Sequence, residues 1–559
     1  MSNIDRDLKE GLYFLPLGGS GEIGMNLNLY CCDGKWLMID CGISFADDRA
    51  PGIDVIVPDA AWIAERREDL LAIIVTHAHE DHVGAVARLW PKFRCPVYTS
   101  PFTAEILSLK LAEEELEDEV EVNVIAPGSS VSLGDYHIDF VDLTHSIPEM
   151  QALMITTPYG RVLHSGDWKL DPDPVVGPAS NLAKMQKVSE AGVLAMICDS
   201  TNVFKEGVSG SEQDVQNSLD QLLRGIPSGR IAVTTFASNI ARLMTIASVA
   251  ERNDRHVVLV GRSLHRMTQA AKKSGYLNDL PPFLDEKYVG HIPRDKILLL
   301  CTGSQGEPRG AMARIARGEH SHVELSPGDT VIFSSKVIPG NEKTLYGLHN
   351  QLTESGVNVI TEADEFVHVS GHPAREELTD MYRIVKPEIA IPVHGEARHI
   401  RAHCELALSL GVKQAIEITN GNILKLAPGE AGIIANVPSG RLAVDAGGLT
   451  PLDGEFLSTR RRLVYNGSVS GVVFVNEKGQ ITEDPIIRLR GVLDETLFPQ
   501  LQKDLREQII DNHNRLKKSE KLDDDEVELS AHNAVRRVFR RLAGRRPITD
   551  IYVIRFEEE

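Results

Sequence analysis

The sequence predicts an α/β protein in which a domain with many short strands is interrupted by a second α/β unit. Between Leu12 and Thr201, short β-rich apolar runs alternate with helical stretches. From about Glu212 to Gly356 the helices become longer, and the alternation resembles a separate doubly wound sheet. The first pattern then returns. The middle unit is therefore predicted to be an insertion into one discontinuous domain.

The predicted strands and helices follow from these two patterns of alternation. We expect strands over residues 12–17, 36–40, 71–76, 96–99, 137–143, 152–156, 161–164 and 193–198, and in the middle unit over residues 231–235, 256–260, 297–301 and 330–333. Strands over residues 366–369 and 388–393 return to the first unit. A small C-terminal part combines strands at residues 472–475 and 548–556 with a charged helical stretch at residues 494–544. The predicted segments are residues 1–211, 212–356, 357–445 and 446–559.

Composition and charge restrict the classes of protein. With 559 residues, 42% of them hydrophobic and 25% charged, the chain can build several buried cores. The net charge of -21 argues against a protein that wraps nucleic acid on a uniformly basic surface. Much of that charge lies in two runs, residues 113–121 and 523–528, which are predicted to be solvated helix faces.

The cysteines and the apolar runs bear on the compartment. The seven cysteines show no C-x-x-C spacing, and the chain has no signal-peptide pattern and no apolar run of roughly 20 residues. We therefore expect a cytoplasmic protein with reduced, mostly buried thiols and no membrane contact.

One glycine-rich motif is discounted. Residues 19–24, Gly-Ser-Gly-Glu-Ile-Gly, fit the G-x-G-x-x-G fingerprint of dinucleotide-binding proteins. That fingerprint must open a helix, whereas residues 25–30 alternate like a strand and Asp33-Gly34 predicts a tight hairpin. A glycine-rich turn near the functional site is expected instead of a nicotinamide or flavin enzyme.

The strongest chemical signal follows the predicted strand at residues 71–76. His77-x-His79-x-Asp81-His82 places four potential metal ligands within six residues. In an extended segment residues 77 and 79 point the same way, and a turn at Asp81 and His82 can face a second metal about 3.5–4 Å from the first. Imidazole and carboxylate without thiolate suit zinc, with manganese as the main alternative.

Further candidate ligands stand at the ends of other predicted strands: His145, Asp167 and His394. Asp167 is the natural bridging carboxylate of a dinuclear site. Two bridged metals activate a water molecule and stabilise charge on a phosphate, so the predicted reaction class is hydrolysis. Asp40, at the end of an earlier strand, is better placed as an acceptor that orients a ligand imidazole.

These motifs resemble motifs one to four of the metallo-β-lactamase superfamily: Asp40, His77 to His82, His145 and Asp167. That scaffold cuts lactams, thioesters and phosphodiesters, so later features must narrow the substrate. Three such features resemble motifs A, B and C of the β-CASP subgroup, whose members process nucleic acids: Asp199 in Cys-Asp-Ser-Thr-Asn, His368 in His-Val-Ser-Gly-His and His394 in Pro-Val-His-Gly-Glu.

Three more stretches, at residues 235–239, 301–308 and 338–342, resemble the bacterial ribonuclease J family in particular, and the similarity covers essentially the whole chain. This resemblance implies a metallo-β-lactamase αββα sandwich, an inserted α/β β-CASP domain and a small α+β C-terminal domain. It also implies two Zn2+ per subunit, with Mn2+ or Mg2+ as alternatives. One ion would be held by His77, His79, His145 and Asp167, and the other by Asp81, His82, Asp167 and His394.

The resemblance further implies catalytic roles for Asp81, Asp199 and His368. His368 would assist the scissile phosphate or the leaving group, and Asp199 would either hydrogen-bond His368 or lie near the metals. The segment that grips an RNA phosphate would be His368, Val369, Ser370, Gly371 and His372, because a backbone turn there offers N–H donors.

The implied activity is 5′→3′ exonucleolytic degradation of RNA with a 5′ monophosphate, together with internal cutting, in mRNA decay and rRNA maturation. Ser238, Arg262 and Lys336 are the candidates for a 5′-phosphate pocket. A homodimer or homotetramer formed through the C-terminal domain is expected, with other RNA-decay proteins as further partners. The basic stretch at residues 536–546 is favoured as a solvated helix face, with an RNA track or a subunit contact as alternatives.

Two other functions stay open. A β-CASP nuclease that prefers DNA, or that cuts only internally, would have the same metal ligands, because these ligands contact phosphate and not the 2′-hydroxyl. A catalytically silent RNA-binding or scaffold subunit could share the fold. The seven intact ligand positions argue against it, since a silent subunit has no chemical reason to keep both metal sites.

Overall fold

A computed structural model of the chain describes residues 8–542 and 544–556, apart from the side chains of residues 495 and 542. Residues 1–7, which bear on the expectation of no signal peptide, lie outside the described residues, as does residue 543 of the predicted helical stretch. The chain forms two compact units, one to Ser44 and from Val57 to Gly440, the other from Phe45 to Ile56 and from Arg441 onward. The four predicted segments are finer than this division and stay a prediction.

Two sheets form the layered part of the first unit. The first has eight strands, in the order Gly432–Asn436, Asn422–Ala427, Leu12–Gly18, Leu27–Cys32, Lys35–Ile39, Leu70–Val75, Val97–Thr99 and Val122–Val124. The second has seven, in the order Ser130–Leu133, Tyr136–Asp142, Gln151–Thr157, Gly160–His164, Ala195–Asp199, Ile389–Val393 and Gln414–Ala415. Apolar side chains from both sheets, among them Phe14, Ile74, Phe140 and Ile391, share one buried core, so the two sheets face each other.

Helices flank these sheets. The outer face of the second sheet packs on helices Leu182–Ser189, Arg375–Val385 and Ala397–Ser409 through a separate apolar cluster. The remaining helices of this part are Ala61–Ala64, Glu80–Val83, Val86–Phe93 and Pro101–Glu113, with a 3-10 turn at Arg67–Asp69. This arrangement is the predicted sandwich.

The middle of the chain forms a six-stranded sheet, in the order Leu284–Asp285, His256–Val260, Ile297–Cys301, Ile231–Thr234, Thr330–Phe333 and Asn358–Ile360. Every strand pair is parallel, as the alternation of strands and helices predicts. The helices here are Glu212–Arg224, Ile240–Arg252, Arg262–Lys273, Ala311–Ala316 and Glu342–Glu354, with 3-10 turns at Glu286–His291 and Arg294–Lys296.

The second unit has its own core. Its three-stranded sheet runs in the order Ile486–Arg490, Ser468–Asn476 and Ile548–Phe556, and apolar side chains from it pack on helices Phe498–Asn514 and Asp524–Leu542. Other elements are helix Glu455–Asn466, strands Arg441–Asp445 and Gly448–Pro451, and 3-10 turns Glu495–Leu497 and Glu520–Leu522. Strands Ser44–Phe45 and Val55–Pro58 lie at the ends of its first segment.

Two predicted elements are wrong. Residues 366–369 form no strand, because the Val367 carbonyl accepts hydrogen bonds from the side chains of Arg242 and Ser334 instead of a neighbouring strand. The acidic run at residues 113–121 is not a helix face: helix Pro101–Glu113 ends where the run begins, and mostly exposed turns follow.

Two other predictions are confirmed. The glycine-rich motif at residues 19–24 leads into strand Leu27–Cys32 and opens no helix, and Asp33 and Gly34 form the hairpin turn with positive φ angles of 51° and 82°. All seven cysteines are free and buried. No helix in the described part of the chain is both long and apolar enough to cross a membrane.

Candidate metal centre

The candidate site lies at the carboxyl ends of strands from both sheets. Strands Lys35–Ile39 and Leu70–Val75 are parallel, and so are Gly160–His164, Ala195–Asp199 and Ile389–Val393. The carboxyl ends of parallel strands meet at one edge of a sheet, which explains why polar residues far apart in sequence come together. These residues are Asp40, His77, Asp167, Asp199 and His394.

One group consists of three imidazoles whose ring nitrogens point at a common centre. The Nδ1 atom of His79 lies 3.2 Å from Nε2 of His77 and 3.0 Å from Nε2 of His145. The three ligand atoms lie within 4.8 Å of one another. A single proton on His79 Nδ1 cannot satisfy both neighbouring nitrogens, so a shared cation accounts for the arrangement better than hydrogen bonds do.

A second group combines Asp81, His82, Asp167 and His394, again with ligand atoms within 4.8 Å. The Asp167 Oδ2 atom lies 3.1 Å from His82 Nε2 and 3.4 Å from His394 Nε2. Asp167 also belongs to a third group with His145 and His372. Its carboxylate therefore lies between the two sets of imidazoles, in the place of a bridging ligand.

Hydrogen bonds on the far side of each ring turn the free nitrogens inward. The Thr76 hydroxyl lies within 3.1 Å of both carboxylate oxygens of Asp40, and having given its one hydrogen to Asp40 it accepts from His77 Nδ1, 3.0 Å away. His82 Nδ1 donates to Asp40 Oδ2 at 2.7 Å, and His145 Nδ1 donates to the Gly371 carbonyl at 2.6 Å. Nε2 of His77 and of His145 is left as an acceptor, as in metal-binding histidines, while Nε2 of His82 faces the Asp167 carboxylate.

Asn26 is a site residue that the sequence reasoning missed. It lies in the segment after the glycine-rich turn, buried, and its Oδ1 accepts from His394 Nδ1 at 3.0 Å. Its backbone N–H donates to the Asp81 carbonyl at 2.9 Å. The only signal in the sequence is a polar residue in a segment that alternates like a strand.

Two site residues hold unusual backbone conformations. Asp40 and His394 both have positive φ angles, of 63° and 50°. Such angles are uncommon in residues other than glycine and must be held in place by surrounding contacts. For His394, its own N–H donates to the Gly19 carbonyl at 2.6 Å. The glycine-rich turn thus fixes the last predicted ligand.

Close packing leaves room only for glycine at two points. A Cβ on Gly42 would lie 1.7 Å from the Asp81 carbonyl oxygen, and a Cβ on Gly371 would lie 2.8 Å from the His145 ring. Both approaches bring backbone directly against residues of the candidate site.

The electrostatics favour neutral imidazoles around the first group. Burial, followed by the neighbouring histidines, lowers the pKa of His77 and His145 well below the usual range, and burial lowers the pKa of His79 to about 4. Neutral rings have the lone pairs that metal binding requires. The buried carboxylate of Asp167 has its pKa held well below normal by His394 and His82, against the opposing effect of burial.

Asp199 contacts His372 and not His368. Its Oδ2 atom accepts from His372 Nδ1 at 2.7 Å, and its Oδ1 accepts from the Thr201 N–H at 2.8 Å. His372 lies in turn 3.9 Å from Asp167, and its ring stacks on that of His394. The predicted hydrogen bond from Asp199 to His368 is therefore wrong, while Asp199 does lie near the candidate ligands.

His368 lies in a basic environment apart from the three ligand groups. Burial and then the charges of Arg242, Lys336, Lys169 and Lys205 lower its pKa well below the usual value. Within the described residues its Nδ1 atom has no hydrogen-bond partner. The side chain is therefore neutral, with positively charged side chains around it.

The segment from His368 to His372 is anchored by Asn202. The Asn202 amide donates to the Ser370 hydroxyl at 2.7 Å and to the His372 carbonyl at 3.1 Å. Val369 is buried, and the Gly371 carbonyl accepts from His145 as described above.

The three candidates for a 5′-phosphate pocket have different surroundings. Lys336 acts on both His368 and Lys205, since its charge contributes to the lowered pKa of each. Arg262 instead lines a cavity of about 600 Å3 that also includes Glu80 and Lys110. Ser238 lies just before helix Ile240–Arg252.

A buried hydrogen-bonded chain supports the segment after Asp199. His403 Nδ1 pairs with the Ser200 hydroxyl at 2.9 Å and its Nε2 with the Tyr382 hydroxyl at 3.0 Å. Burial lowers the pKa of His403 to about 4, so the ring is neutral.

Comparison with known protein families places the site in context. Four family models match successive parts of the chain: the metallo-beta-lactamase superfamily at residues 28–224, the ribonuclease J beta-CASP domain at residues 228–352, the Zn-dependent metallo-hydrolase RNA specificity domain at residues 356–417 and the ribonuclease J C-terminal domain at residues 455–556.

Curated relatives match over most of the chain. Ribonuclease J of Sinorhizobium meliloti is 41% identical over 549 residues, which cover 97% of each protein. The chain belongs to the ribonuclease J family. Ribonuclease J of Corynebacterium glutamicum is 37% identical over 86% of this chain and 67% of that protein, and ribonuclease J of Synechocystis is 35% identical over 90% and 79%.

The ribonuclease J family models divide the site residues between them. The metallo-beta-lactamase match includes the segment His77–His82 with His145, Asp167 and Asp199, and the RNA specificity match includes His368, His372 and His394. Family membership confirms the predicted fold class and supports a metal-dependent ribonuclease.

A solved structure shows the fold alone. The crystal structure of a protein of unknown function from Enterococcus faecalis V583 covers 76% of this chain and all of its own, with a TM-score of 0.50 and 16% identity.

Proposed function

We propose that this member of the ribonuclease J family is a two-metal ribonuclease that degrades RNA from a 5′-monophosphate end and also cuts internally. The observation that carries the proposal is the placement of the Asp199–His372 pair against Asp167, beside two groups of candidate ligands. Metal ligands, a polarised imidazole and a phosphate-binding segment thus meet at one sheet edge.

The residues fit two divalent cations. His77, His79 and His145 would hold one ion and Asp81, His82 and His394 the other, with Asp167 between them. Zinc suits this set of nitrogen and oxygen ligands, and Mn2+ and Mg2+ are the alternatives. When bound, the ions would activate water and stabilise charge on the phosphate.

His372 is the residue we propose as proton donor to the leaving 3′ oxygen. Burial alone lowers the pKa of this imidazole, but Asp199 and then Asp167 raise it to about 9. Asp199 orients the ring by accepting from Nδ1, which leaves Nε2–H free to donate. His368 would bind a phosphate next to the scissile one and not the scissile phosphate itself, because it lies outside the three ligand groups.

The preference for a 5′ monophosphate is proposed from the charges around His368. Lys205 and Lys336 lie close enough for the charge of Lys336 to lower the pKa of Lys205, after the effect of burial. A terminal phosphate dianion would relieve that repulsion more than a hydroxyl would. Ser238 and Arg262 are retained as further candidates.

The remaining proposals concern context. We propose assembly into a homodimer or homotetramer, action in the cytoplasm on mRNA and rRNA precursors, and contacts with other RNA-decay proteins. Free, buried cysteines fit a reducing compartment.

The decisive experiment uses end-labelled RNA carrying a 5′ monophosphate, triphosphate or hydroxyl, and matching DNA, with and without a chelator. We expect mononucleotides to be released fastest from monophosphorylated RNA and no cleavage after metal removal. Equal cleavage of DNA would favour the DNA-directed nuclease. RNA binding without cleavage by the metal-loaded protein would favour the silent subunit.

A further inference from the structure

A fully buried arginine joins the middle sheet to the phosphate-binding segment. Arg242, in helix Ile240–Arg252, is 0% exposed. Its guanidinium donates to both carboxylate oxygens of Glu212 at 3.1 Å, to the Ser334 carbonyl at 3.0 Å and to the Val367 carbonyl at 3.0 Å. Few side chains can fill so many acceptors at once, because only arginine presents its donors as a rigid fork.

The bond to Val367 places this arginine at the start of the segment His368 to His372. The Ser334 hydroxyl also donates to the Val367 carbonyl, at 2.7 Å. Both Arg242 and Ser334 belong to the part that matches the beta-CASP model, whereas Val367 belongs to the RNA specificity match. The inserted part therefore holds the residue just before the segment, and Asn202 holds the last residue of the segment.

A second chain of hydrogen bonds leads from Arg242 toward His145, a candidate metal ligand. The Glu212 N–H donates to Asp171 at 3.0 Å, and Asp171 is paired with Lys169 at 2.8 Å. The Asp171 N–H and the Lys169 carbonyl both bond the Thr144 hydroxyl, at 3.0 and 2.7 Å. Thr144 directly precedes His145 in the chain, and the His145 ring donates to the Gly371 carbonyl of the segment. The two chains of hydrogen bonds from Arg242 therefore lead to the two partners of this one hydrogen bond.

We infer that Arg242 is a positioning residue that sets the place of the His368 to His372 segment relative to the metal centre, and so couples the inserted part to RNA cleavage. The inference rests on the proposed function for its activity readout. Arg242 itself is neither a candidate metal ligand nor a group that we place against the substrate. Loss of the hydrogen bonds made by the Arg242 guanidinium should move the His368 to His372 segment while leaving both metal sites intact.

The test compares Arg242→Lys with a matched control. Lysine keeps the positive charge, but its three donors on one atom cannot reproduce the bidentate pair with Glu212 together with the bonds to the Ser334 and Val367 carbonyls. Arg255→Lys is the control, since Arg255 is also buried in the middle part and donates to the carbonyls of Gly229, Ile226 and Ile297, with no bond to the segment. Ser334→Ala removes one donor to Val367 while leaving the charges paired, and serves as the milder variant.

Metal content, hydrolysis of a small phosphodiester and kcat on RNA together distinguish a positioning role of Arg242 from a general contribution to stability. We expect Arg242→Lys to keep its metal content, to hydrolyse bis(p-nitrophenyl) phosphate at close to the wild-type rate, and to lose about 10- to 100-fold in kcat on RNA. Ser334→Ala should show a smaller loss in the same direction. Arg255→Lys should keep the wild-type kcat on RNA even where its Tm falls.

Hydrogen exchange gives a readout that does not depend on RNA cleavage. Amides of residues 366–372 should exchange faster in Arg242→Lys than in the wild type or in Arg255→Lys. If their exchange is unchanged, or if both arginine variants lose RNA and diester hydrolysis in parallel with Tm, the inference is overturned. Failure of the wild-type protein to cut RNA would instead count against the proposed function, and the exchange experiment would still decide the role of Arg242.

Discussion

Replacement of Asp199 by Asn tests the role of the Asp199–His372 pair most directly. In the structure the carboxylate accepts from His372 Nδ1 at 2.7 Å and from the Thr201 N–H at 2.8 Å. Asparagine has nearly the same shape but no charge, and only one of its two polar atoms can accept. One of the two hydrogen bonds must therefore be lost, or the imidazole must adopt the other tautomer.

The expected size of the effect follows from the bond that is lost. A hydrogen bond to a charged group contributes about 1.5–3 kcal/mol, and each 1.36 kcal/mol changes a rate tenfold. We therefore expect kcat to fall by about 10- to 150-fold, provided that His372 acts in the rate-limiting step. The metal content should not change, because Asp199 belongs to none of the three ligand groups.

The assay is multiple-turnover cleavage of 5′-labelled RNA by the metal-loaded protein, from which kcat is obtained, with the metal content measured on the same sample. Asp142→Asn is the control: this residue ends strand Tyr136–Asp142, and its carboxylate accepts from the Gln151 side chain at 2.8 Å. Wild-type kcat in Asp199→Asn would refute the proton-donor assignment. A loss of metal would show that Asp199 supports the ligands instead.

Three further outcomes are expected. His77→Ala should lose metal together with activity, measured by metal analysis and RNA cleavage, and retained metal with full activity would contradict its place as a ligand. His368→Ala should keep its metal and raise KM for monophosphorylated RNA, whereas His372→Ala should chiefly lower kcat; identical kinetic changes in both would argue against separate roles. Because the pKa of His403 is lowered from 6.5 to about 4 in the folded state, the unfolded chain binds its proton first as pH falls below 6.5. In urea unfolding the wild type should therefore lose about 2 kcal/mol more stability between pH 7 and pH 5 than His403→Gln does, and parallel pH profiles would exclude this assignment.

The sequence predicts the strands and the residues at their ends because both are local patterns. Strand His256–Val260 and strand Ile548–Phe556 have the predicted bounds, since apolar runs between turn residues determine them. His77 and His394 could be singled out because each follows such a run. Their meeting at one edge follows from parallel pairing, which the alternation of strands and helices already indicates.

Other features depend on tertiary contacts that no local pattern encodes. His368 and His372 occupy the same five-residue motif, and tertiary contacts distinguish them, above all the hydrogen bond from His372 to Asp199. Asn26 looks like any polar residue in a strand until His394 is brought beside it. Residues 366–369 read as a strand because three of them are apolar and two are β-branched, but the Val367 carbonyl is bonded by the side chains of Arg242 and Ser334.

The pairing of strands Ala195–Asp199 and Ile389–Val393 has a consequence for how such a chain can change. The two strands are direct neighbours, with Asp199 opposite Val393, although the whole six-stranded part lies between them in sequence. In the topology of the sandwich, the six-stranded part is an insertion between two adjacent strands, so it can be treated as a long loop whose two ends are held next to each other. Loop-closure entropy grows only slowly with length, so material can be added to or removed from it at little thermodynamic cost to the sandwich. The six-stranded part can thus change in length while the strands that carry Asp199 and His394 keep their pairing.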